Sequence, residues 1–180
     1  MNDRNNIDDS STTKKVKKGT ILQHTGDKIV RAFFVKKGLL KSYFIDDEGK
    51  EHIFMFAPEE WLITDVNLLS NKEDSTAILC IQALEDSEIQ VIPQSVFAQI
   101  DQLPTSILAE QIHKLINRIC VLQKRIYLLM SSSAEDRYDD FITTYPQISQ
   151  RVSLKMIASY LGLTPETLSV VRAKKKNKGI

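Results

Sequence analysis

Cysteine is scarce in this sequence: only Cys80 and Cys120 occur, and neither belongs to a C-x-x-C pair. Two isolated thiols argue against a disulfide framework, a zinc ribbon and a cysteine-held iron–sulfur cluster. No apolar run approaches the roughly 18–20 residues that span a bilayer, and the polar residues 1–18 lack the apolar core of a signal peptide. These absences predict a soluble protein of the cytoplasm.

Neither sign of charge is in excess over the whole chain, in which 24 Lys and Arg residues face 23 Asp and Glu residues at a net charge of +1. The distribution along the chain is uneven. Residues 151–180 contain seven basic residues and one acidic residue, a net charge of +6, which leaves −5 on residues 1–150. A basic module on an acidic body favours a partner with a phosphate backbone, although a solvated helical hairpin with a basic tail has the same pattern.

Short apolar runs separated by turn residues occupy positions 19 to 92. The predicted strands are 20–23, 30–35, 39–45, 51–56, 77–83 and 88–92. Many short strands with regular turn signals are typical of an antiparallel sandwich or barrel. Gly49 closes an acidic turn, which predicts a hairpin over 39–56. A short helix is predicted over 94–100, after Pro93.

A long helix with an apolar stripe is predicted over residues 105–130. Its Leu and Ile residues alternate three and four apart, with Ile at heptad position a and Leu at d, which favours a parallel two-stranded coiled coil. Arg118 and Arg125 fall at the flanking g positions. A helix packed on the β domain would also be apolar on one side, but it seldom keeps a strict a/d stripe for three heptads. The predicted dimer interface is Leu108, Ile112, Leu115, Ile119, Leu122, Ile126 and Leu129.

Three serines at 131–133 separate this helix from the next one, which is predicted over 134–144. Ser132 and Glu135 have the spacing of a capping box. The expected buried side chains of the new helix are Tyr138, Phe141 and Ile142. A serine break at this place is either a hinge or a passive interruption.

The segment 153–173 has the pattern of two short helices joined by a tight turn. The first helix has an apolar face formed by Leu154, Ile157, Ala158 and Leu161. Ser153 is its predicted N-cap, and Gly162 stands where a left-handed residue ends a helix. A small side chain at Ala158 allows close approach of a second helix.

The second helix is predicted to begin with Thr164 as N-cap and Pro165 at the first position, where the missing N–H costs nothing. Leu168 and Val171, three residues apart, give it a buried side. Two short helices joined by a turn that contains glycine form a helix-turn-helix. Pattern, caps and positive charge agree, so the segment is predicted to bind DNA.

The order of parts resembles the catabolite-activator-like (Crp/Fnr) family of transcription regulators. The segments that carry the resemblance are GLLKSYFIDDEGKEHIFMFAPEEW (38–61), SSAEDRY (132–138) and IASYLGLTPETLS (157–169). The resemblance implies an α+β fold: an antiparallel β-roll (a cyclic-nucleotide-binding-like jelly roll) over 19–103, a dimerisation helix over 104–131 and a helix-turn-helix domain over 132–180, with 1–18 as a flexible lead.

The resemblance also implies the partners of the protein. These are double-stranded DNA and a second copy of the chain, with RNA polymerase and a small-molecule effector left open as further partners. The sequence looks most like the short members of the family, which lack a full wing after the recognition helix.

One stretch, 61–77, departs from the members of the family that bind cyclic nucleotides. Those members hold the phosphate and ribose with a glycine–glutamate pair and an arginine–serine pair, where this sequence has Ile63-Thr64 and Asp74-Ser75. An aspartate in place of the arginine would repel a phosphate, so neither cyclic AMP nor another cofactor is expected. The apolar side chains nearby fit a hydrophobic effector or, more simply, a plain core. The candidate effector pocket is Phe54, Phe56, Trp61, Ile63, Thr64, Asp74 and Ser75.

The family reads bases with residues at the N-terminal end of the recognition helix and one turn later. Here Glu166 could accept a hydrogen bond from a cytosine amino group, and Ser169 could bond a base edge or a phosphate. Val170 replaces the arginine of many relatives and fits a thymine methyl group. The predicted DNA contacts are Thr164, Pro165, Glu166, Ser169, Val170, Arg172, Lys174 and Lys175.

An enzyme is the first alternative, because β-rolls also build metal-dependent cupin-type catalysts. His24, His52 and His113 are scattered, however, and the motifs G-x-S-x-G, P-loop, H-E-x-x-H and G-x-G-x-x-G do not occur. Neither catalysis nor a metal site is therefore expected. The second alternative is a dimeric ligand-sensing or protein-docking module with a degenerate helix-turn-helix, which Val170 and the missing wing favour.

Overall fold

The computed structural model describes residues 13–70, 75–97 and 104–177. The chain divides into two compact units, residues 1–100 and 101–180. We refer to them as the β unit and the helical unit. Along the described ranges, no helix combines the length and the apolar character needed to cross a bilayer.

The β unit contains two four-stranded antiparallel sheets. Its elements are β1 Thr13–Val16, β2 Ile21–Gln23, β3 Ala32–Lys37, β4 Leu40–Ile45, β5 Glu51–Ala57, β6 Leu62–Ile63, β7 Cys80–Ala83, β8 Ser87–Ile92 and the helix α1 Gln94–Phe97. One sheet has the strand order β1-β8-β3-β6 and the other β2-β7-β4-β5. This crossed order of antiparallel strands confirms the predicted jelly-roll-like fold.

The main core of the β unit lies between its two sheets. One sheet contributes Phe33, Val35, Ile63, Ile89 and Val91, and the other contributes Leu22, Leu40, Ala57, Ile81 and Ala83. The predicted 39–56 hairpin is confirmed as β4 and β5, with Gly49 at φ +78° in the turn. The alternation of apolar and polar side chains along these strands places one face of each sheet in the core.

The structure corrects the sequence predictions at both ends of the β unit. The lead 1–18 was expected to be flexible, but Thr13–Val16 form β1, which pairs with β8. The two-residue strand β6 was not predicted at all. The strand predicted over 30–35 is shifted by two residues to 32–37, and the strand predicted over 77–83 is shorter than expected, because 77–79 lie outside the ladder. Residues 98–100 of the predicted short helix lie outside the described residues.

The described residues of the helical unit, 104–177, form five helices. They are α2 Thr105–Ser131, α3 Ala134–Thr144, α4 Pro146–Ser149, α5 Leu154–Tyr160 and α6 Pro165–Asn177. The long helix and the two helices of the predicted helix-turn-helix are confirmed, whereas the short α4 was not predicted. A helix of 27 residues is about 40 Å long.

The capping box before α3 lies one residue later than predicted. The Ser133 hydroxyl accepts the backbone N–H of Asp136, and the Asp136 carboxylate accepts the backbone N–H of Ser133, at 3.2 and 3.3 Å. The sequence prediction of Ser132 and Glu135 is therefore wrong in register. Of the three side chains expected to be buried in α3, only Phe141 is fully buried, while Tyr138 and Ile142 are half-buried.

Candidate nucleic-acid interface

Helix α6 has one packed side and one exposed side. Leu168 is fully buried and Val171 is 7% exposed, so both lie on the packed side of α6. The predicted N-cap is confirmed, since the Thr164 hydroxyl accepts the backbone N–H of Thr167 at 3.2 Å. On the other side lie the predicted base-reading residues Pro165, Glu166, Ser169 and Val170, all exposed. The helix can therefore present these four residues to a groove while its back stays anchored.

Glu166 lies in the first turn of α6, where helix N–H groups favour a negative charge. Its own backbone N–H and the Thr164 hydroxyl stabilise the ionised carboxylate and lower the pKa of Glu166 below its usual value. The side chain is therefore an acceptor at neutral pH. It suits the amino group of cytosine and is unsuited to a phosphate.

The basic residues after Val171 are not equivalent. Arg172 and Lys174 are exposed, as phosphate contacts require. Lys175 forms an ion pair with Asp139 of α3, and its side chain is only 19% exposed. The hydrogen bond to Asp139 raises the pKa of Lys175. Lys175 as a DNA contact stays a prediction, and its ammonium group already forms an ion pair with a carboxylate of the same chain.

The turn between α5 and α6 is built as the sequence predicts. Ser153 caps α5 by accepting the backbone N–H of Met156, and Gly162 has φ +65°. The backbone N–H groups of Gly162 and Leu163 donate to the carbonyls of Ser159 and Ala158, which is the pattern of a Schellman motif. Leu154 differs from the prediction: it is 39% exposed and does not belong to the buried face.

Two arginines hold the end of α5 from neighbouring helices. Arg125 of α2 donates from Nη2 to the Tyr160 carbonyl at 2.8 Å, and its guanidinium lies 3.9 Å from the centre of the Tyr160 ring. Arg137 of α3 donates to the Leu161 carbonyl at 3.2 Å and to the Ser132 carbonyl at 3.1 Å. Arg125 was predicted only as a g position of a coiled coil, and no pattern in the sequence indicated this contact with Tyr160.

The apolar stripe along α2 is largely exposed in the chain. Ile112, Leu115, Ile119 and Ile126 are each more than half exposed. Leu108 and Leu122 are half-buried, as is Leu129. A Cβ atom on Gly162 would lie 3.2 Å from Leu129 Cδ2, so Leu129 packs against the turn of its own chain. Leu129 is therefore less available to a partner than the other predicted interface residues.

The described side chains of the predicted effector pocket lie in different surroundings. Ile63 is fully buried and half-buried Trp61 packs on the same core, which confirms the core interpretation for these two side chains. Phe56 is also buried, whereas Phe54 is 37% exposed. Phe54 stands in a β-bulge, since Ile53 pairs with Tyr43 and Met55 with Ser42, and a bulge turns the extra side chain away.

The three remaining pocket candidates are polar. Thr64 donates to the Arg31 carbonyl at 3.1 Å, and Ser75 is half-buried. Asp74 lies outside the described residues.

Asp65, which the sequence prediction overlooked, closes the loop after β6. Its side chain is 2% exposed. One carboxylate oxygen accepts the backbone N–H of Asn67 at 2.9 Å, and the other accepts those of Ile78 and Leu79 at 2.9 and 2.7 Å. Three convergent N–H groups form the kind of concave site that binds an anion. Here the anion is a side chain of the protein itself.

The backbone groups of residues 76–79 also form hydrogen bonds with residues outside this segment. The Thr76 carbonyl accepts the Asn67 amide at 2.8 Å, and the Leu79 carbonyl accepts the Gln23 amide at 3.0 Å. Between them, the N–H of Ala77 donates to Asp27 and its carbonyl accepts from Gly26. Because buried backbone groups must be paired, these bonds replace a strand ladder at this place.

The described part of the chain contains no cluster of metal-binding side chains. Within residues 13–70, 75–97 and 104–177, no group of three or more His, Cys, Asp or Glu side chains is arranged to hold a metal ion. Cys80 is buried and Cys120 is exposed, and both are free thiols.

The chain is similar to known regulators in sequence and in fold. A family model described as the cyclic nucleotide-binding domain matches residues 13–102. Electron transport regulator A of Shewanella oneidensis is 30% identical over 194 residues, 99% of this chain and 75% of that protein. The transcriptional activator protein anr of Pseudomonas aeruginosa is 29% identical, over 93% of this chain and 71% of that protein. FixK2 from Bradyrhizobium japonicum aligns with a TM-score of 0.75 at 18% identity, over 94% of this chain and 86% of that one.

Proposed function

The chain belongs to the Crp/Fnr family of transcription regulators, and from this premise we propose that it is a cytoplasmic homodimer that binds double-stranded DNA and does not respond to cyclic AMP. The observation that carries the proposal is the geometry of α6. Its buried Leu168 and Val171 fix the helix, while Glu166, Ser169 and Val170 stay exposed for base edges. We propose RNA polymerase as a further partner, which the protein would contact if it activates transcription.

In this proposal only three side chains of α6 contact the base edges. Glu166 accepts from cytosine, Ser169 bonds a base edge or a phosphate, and Val170 contacts a thymine methyl group. The phosphates are held by Arg172 and Lys174. Thr164 serves α6 as its cap and adds no readout of sequence. Such a set of contacts gives moderate discrimination on top of a large electrostatic contribution.

The exposed stripe of α2 supports the homodimer. Soluble proteins rarely leave several large aliphatic side chains exposed in one row unless a partner covers them. A second copy of α2 offers the same a/d pattern, since Ile at a and Leu at d pack knobs-into-holes in a parallel pair. Two recognition helices of such a dimer would enter successive major grooves about 34 Å apart.

The loop of Asp65 supports independence from cyclic AMP. A cyclic phosphate needs free N–H donors and a cationic partner, but the donors of Asn67, Ile78 and Leu79 are already taken by Asp65. Placing a second anion beside this buried carboxylate would be repulsive. In the region where the sequence departs from the nucleotide-binding members, these N–H donors of the β unit therefore already bond to a side chain of the same unit.

An interface variant tests the dimer directly. Replacing Ile119, which is 54% exposed on the stripe, with Asp places two charges in the proposed seam. Asn117 lies two residues away on the outer side of the coiled coil, so Asn117→Asp adds the same charge as a matched control. We expect Ile119→Asp to be monomeric by analytical ultracentrifugation and to lose DNA affinity by at least about a hundredfold, because two linked half-sites no longer act together.

The control variant should remain dimeric with unchanged DNA binding. A demonstrated Ile119→Asp monomer that binds DNA as tightly as the unchanged protein would contradict the dimer model. Dissociation of both variants would show that charge, rather than the seam, decides the oligomeric state.

A further inference from the structure

The helical unit contains a cavity of about 160 Å³ between α2, α3 and the end of α5. Its apolar wall includes Val121, Leu128 and Leu129 of α2, with Phe141 of α3 and Leu161. An engineered apolar cavity of about 150 Å³ is large enough to bind benzene. The size and the aromatic wall therefore suit a molecule with one six-membered ring.

The polar wall of the cavity is cationic. Lys124, Arg125 and Arg137 line it together with one acidic residue, Asp140, which forms an ion pair with Lys124. The guanidinium groups of Arg125 and Arg137 line the cavity in addition to that pair. Burial lowers the pKa of Arg125, which shows that the surroundings disfavour its charge. A carboxylate beside an arginine forms charge-assisted hydrogen bonds that are roughly twice as strong as neutral ones.

The same two arginines hold the helix-turn-helix. They donate to the carbonyls of Tyr160 and Leu161, the residues at which α5 ends. Gly162 follows immediately and begins the turn to α6. A carboxylate in the cavity would compete with these neutral carbonyls for the guanidinium groups. Contacts that fix the end of α5, immediately before the turn to the recognition helix, are thus made by side chains that also line the cavity.

We propose that this cavity is an effector site for a single-ring aromatic carboxylate, which draws Arg125 and Arg137 away from the end of α5 and so weakens DNA binding. The ring packs against Leu128 and Phe141, and the carboxylate faces the two arginines. The ligand site is inferred from the cavity alone, whereas the effect of the ligand on DNA binding rests on the proposed function. No residue of the β unit takes part.

Titration of the full-length chain with three probes of equal ring size tests the ligand class. Benzoate is expected to bind at one molecule per chain in isothermal titration calorimetry, benzyl alcohol about tenfold more weakly, and benzylamine not measurably, since only benzoate gains the charge-assisted bonds. Amide shifts in NMR should concentrate at 121–145 and 160–161. Absence of benzoate binding, or equal binding of benzyl alcohol, would overturn the proposal.

Filling the cavity tests the location. Val121→Phe adds a ring inside, and Asn117→Phe adds the same ring on the outer side of α2 as a control. Thr144→Leu narrows the cavity from α3 and serves if Val121→Phe does not fold, as judged by circular dichroism. Both filled variants should lose benzoate binding, and the control should keep it. Unchanged benzoate binding in a folded, filled variant would place the ligand elsewhere.

The effect on DNA is measured separately by fluorescence anisotropy. Saturating benzoate should weaken binding of the unchanged protein at least about fivefold, a typical allosteric coupling, and should leave the filled variants unaffected. Benzoate binding without any change in DNA affinity would refute the coupling. Failure of the protein to bind DNA at all would refute the proposed function while leaving the titration result intact.

Discussion

Asp65 shows how much a single carboxylate can organise. It lies almost fully buried after β6 and accepts three backbone N–H groups, two of them from residues 78–79. A bond from a backbone N–H to a charged acceptor is stronger than one to a carbonyl. The Asp65 side chain, rather than strand pairing, therefore joins residues 65–67 to residues 78–79.

Asp65→Ala should destabilise the β unit by about 3 kcal/mol, because three backbone N–H groups lose a buried, charged acceptor. Urea unfolding followed by far-ultraviolet circular dichroism measures the loss. Asp86→Ala is the matched control, since Asp86 also accepts a backbone N–H, from Lys18, but is exposed. A loss for Asp65→Ala no larger than that of the control would show that the loop is held by other contacts.

Lys174 and Lys175 are adjacent and have the same charge, but their surroundings differ. Lys174→Ala should weaken binding to every DNA sequence and reduce the slope of log affinity against log salt by about 0.9, the value for one phosphate contact. Lys175→Ala should change the slope little, because Asp139 already occupies its ammonium group. Salt titrations of both variants decide this, and equal slopes would contradict the assignment.

At this scale the sequence could predict residues whose role is local. Ser153, Thr164 and Gly162 act on neighbours within a few positions, so their spacing alone identifies them. Asp65, Arg125 and Arg137 act on residues between 13 and 35 positions away, and no pattern in one sequence indicates such a partner. The Asp-x-Asn order at 65–67 suggests a turn, but not burial.

The same contrast holds for whole elements. Helices α2, α5 and α6 and the β4–β5 hairpin were predictable because periodicity, caps and turn residues are local signals. The sequence of strand β1 was interpreted as part of a polar lead. The strand is short and contains lysines, and its partner, β8, is more than 70 residues away. The bulge that turns Phe54 outward was equally invisible, because a bulge depends on the register of two strands.

The turn between α5 and α6 depends on Gly162. Gly162→Ala should destabilise the helical unit by about 1–2 kcal/mol, since an L side chain is disfavoured at φ +65° and its Cβ would crowd Leu129. Gly49→Ala has a similar backbone, φ +78°, but no atom near the new Cβ, and so isolates the backbone cost. Thermal unfolding should show the larger loss for Gly162→Ala; a smaller loss would mean that Leu129 adapts freely.

On the scale of the whole molecule, the two units differ in the surfaces that they expose. The β unit has a filled core and a self-closed loop, and the helical unit presents an exposed seam on α2 and an exposed reading face on α6. The charge differs between the units in the same way, with −4 on residues 1–100 and +5 on residues 101–180, of which residues 151–180 carry +6. This difference favours DNA docking at the basic module.

Selection from a randomised DNA pool, followed by anisotropy measurements at two salt concentrations, tests the central claim most directly. The account predicts an inverted repeat with half-sites one helical turn apart, about 34 Å, and an affinity that falls steeply with salt. Weak binding without sequence preference would contradict it. That result would instead identify a dimeric ligand-sensing or protein-docking module whose helix-turn-helix does not read DNA.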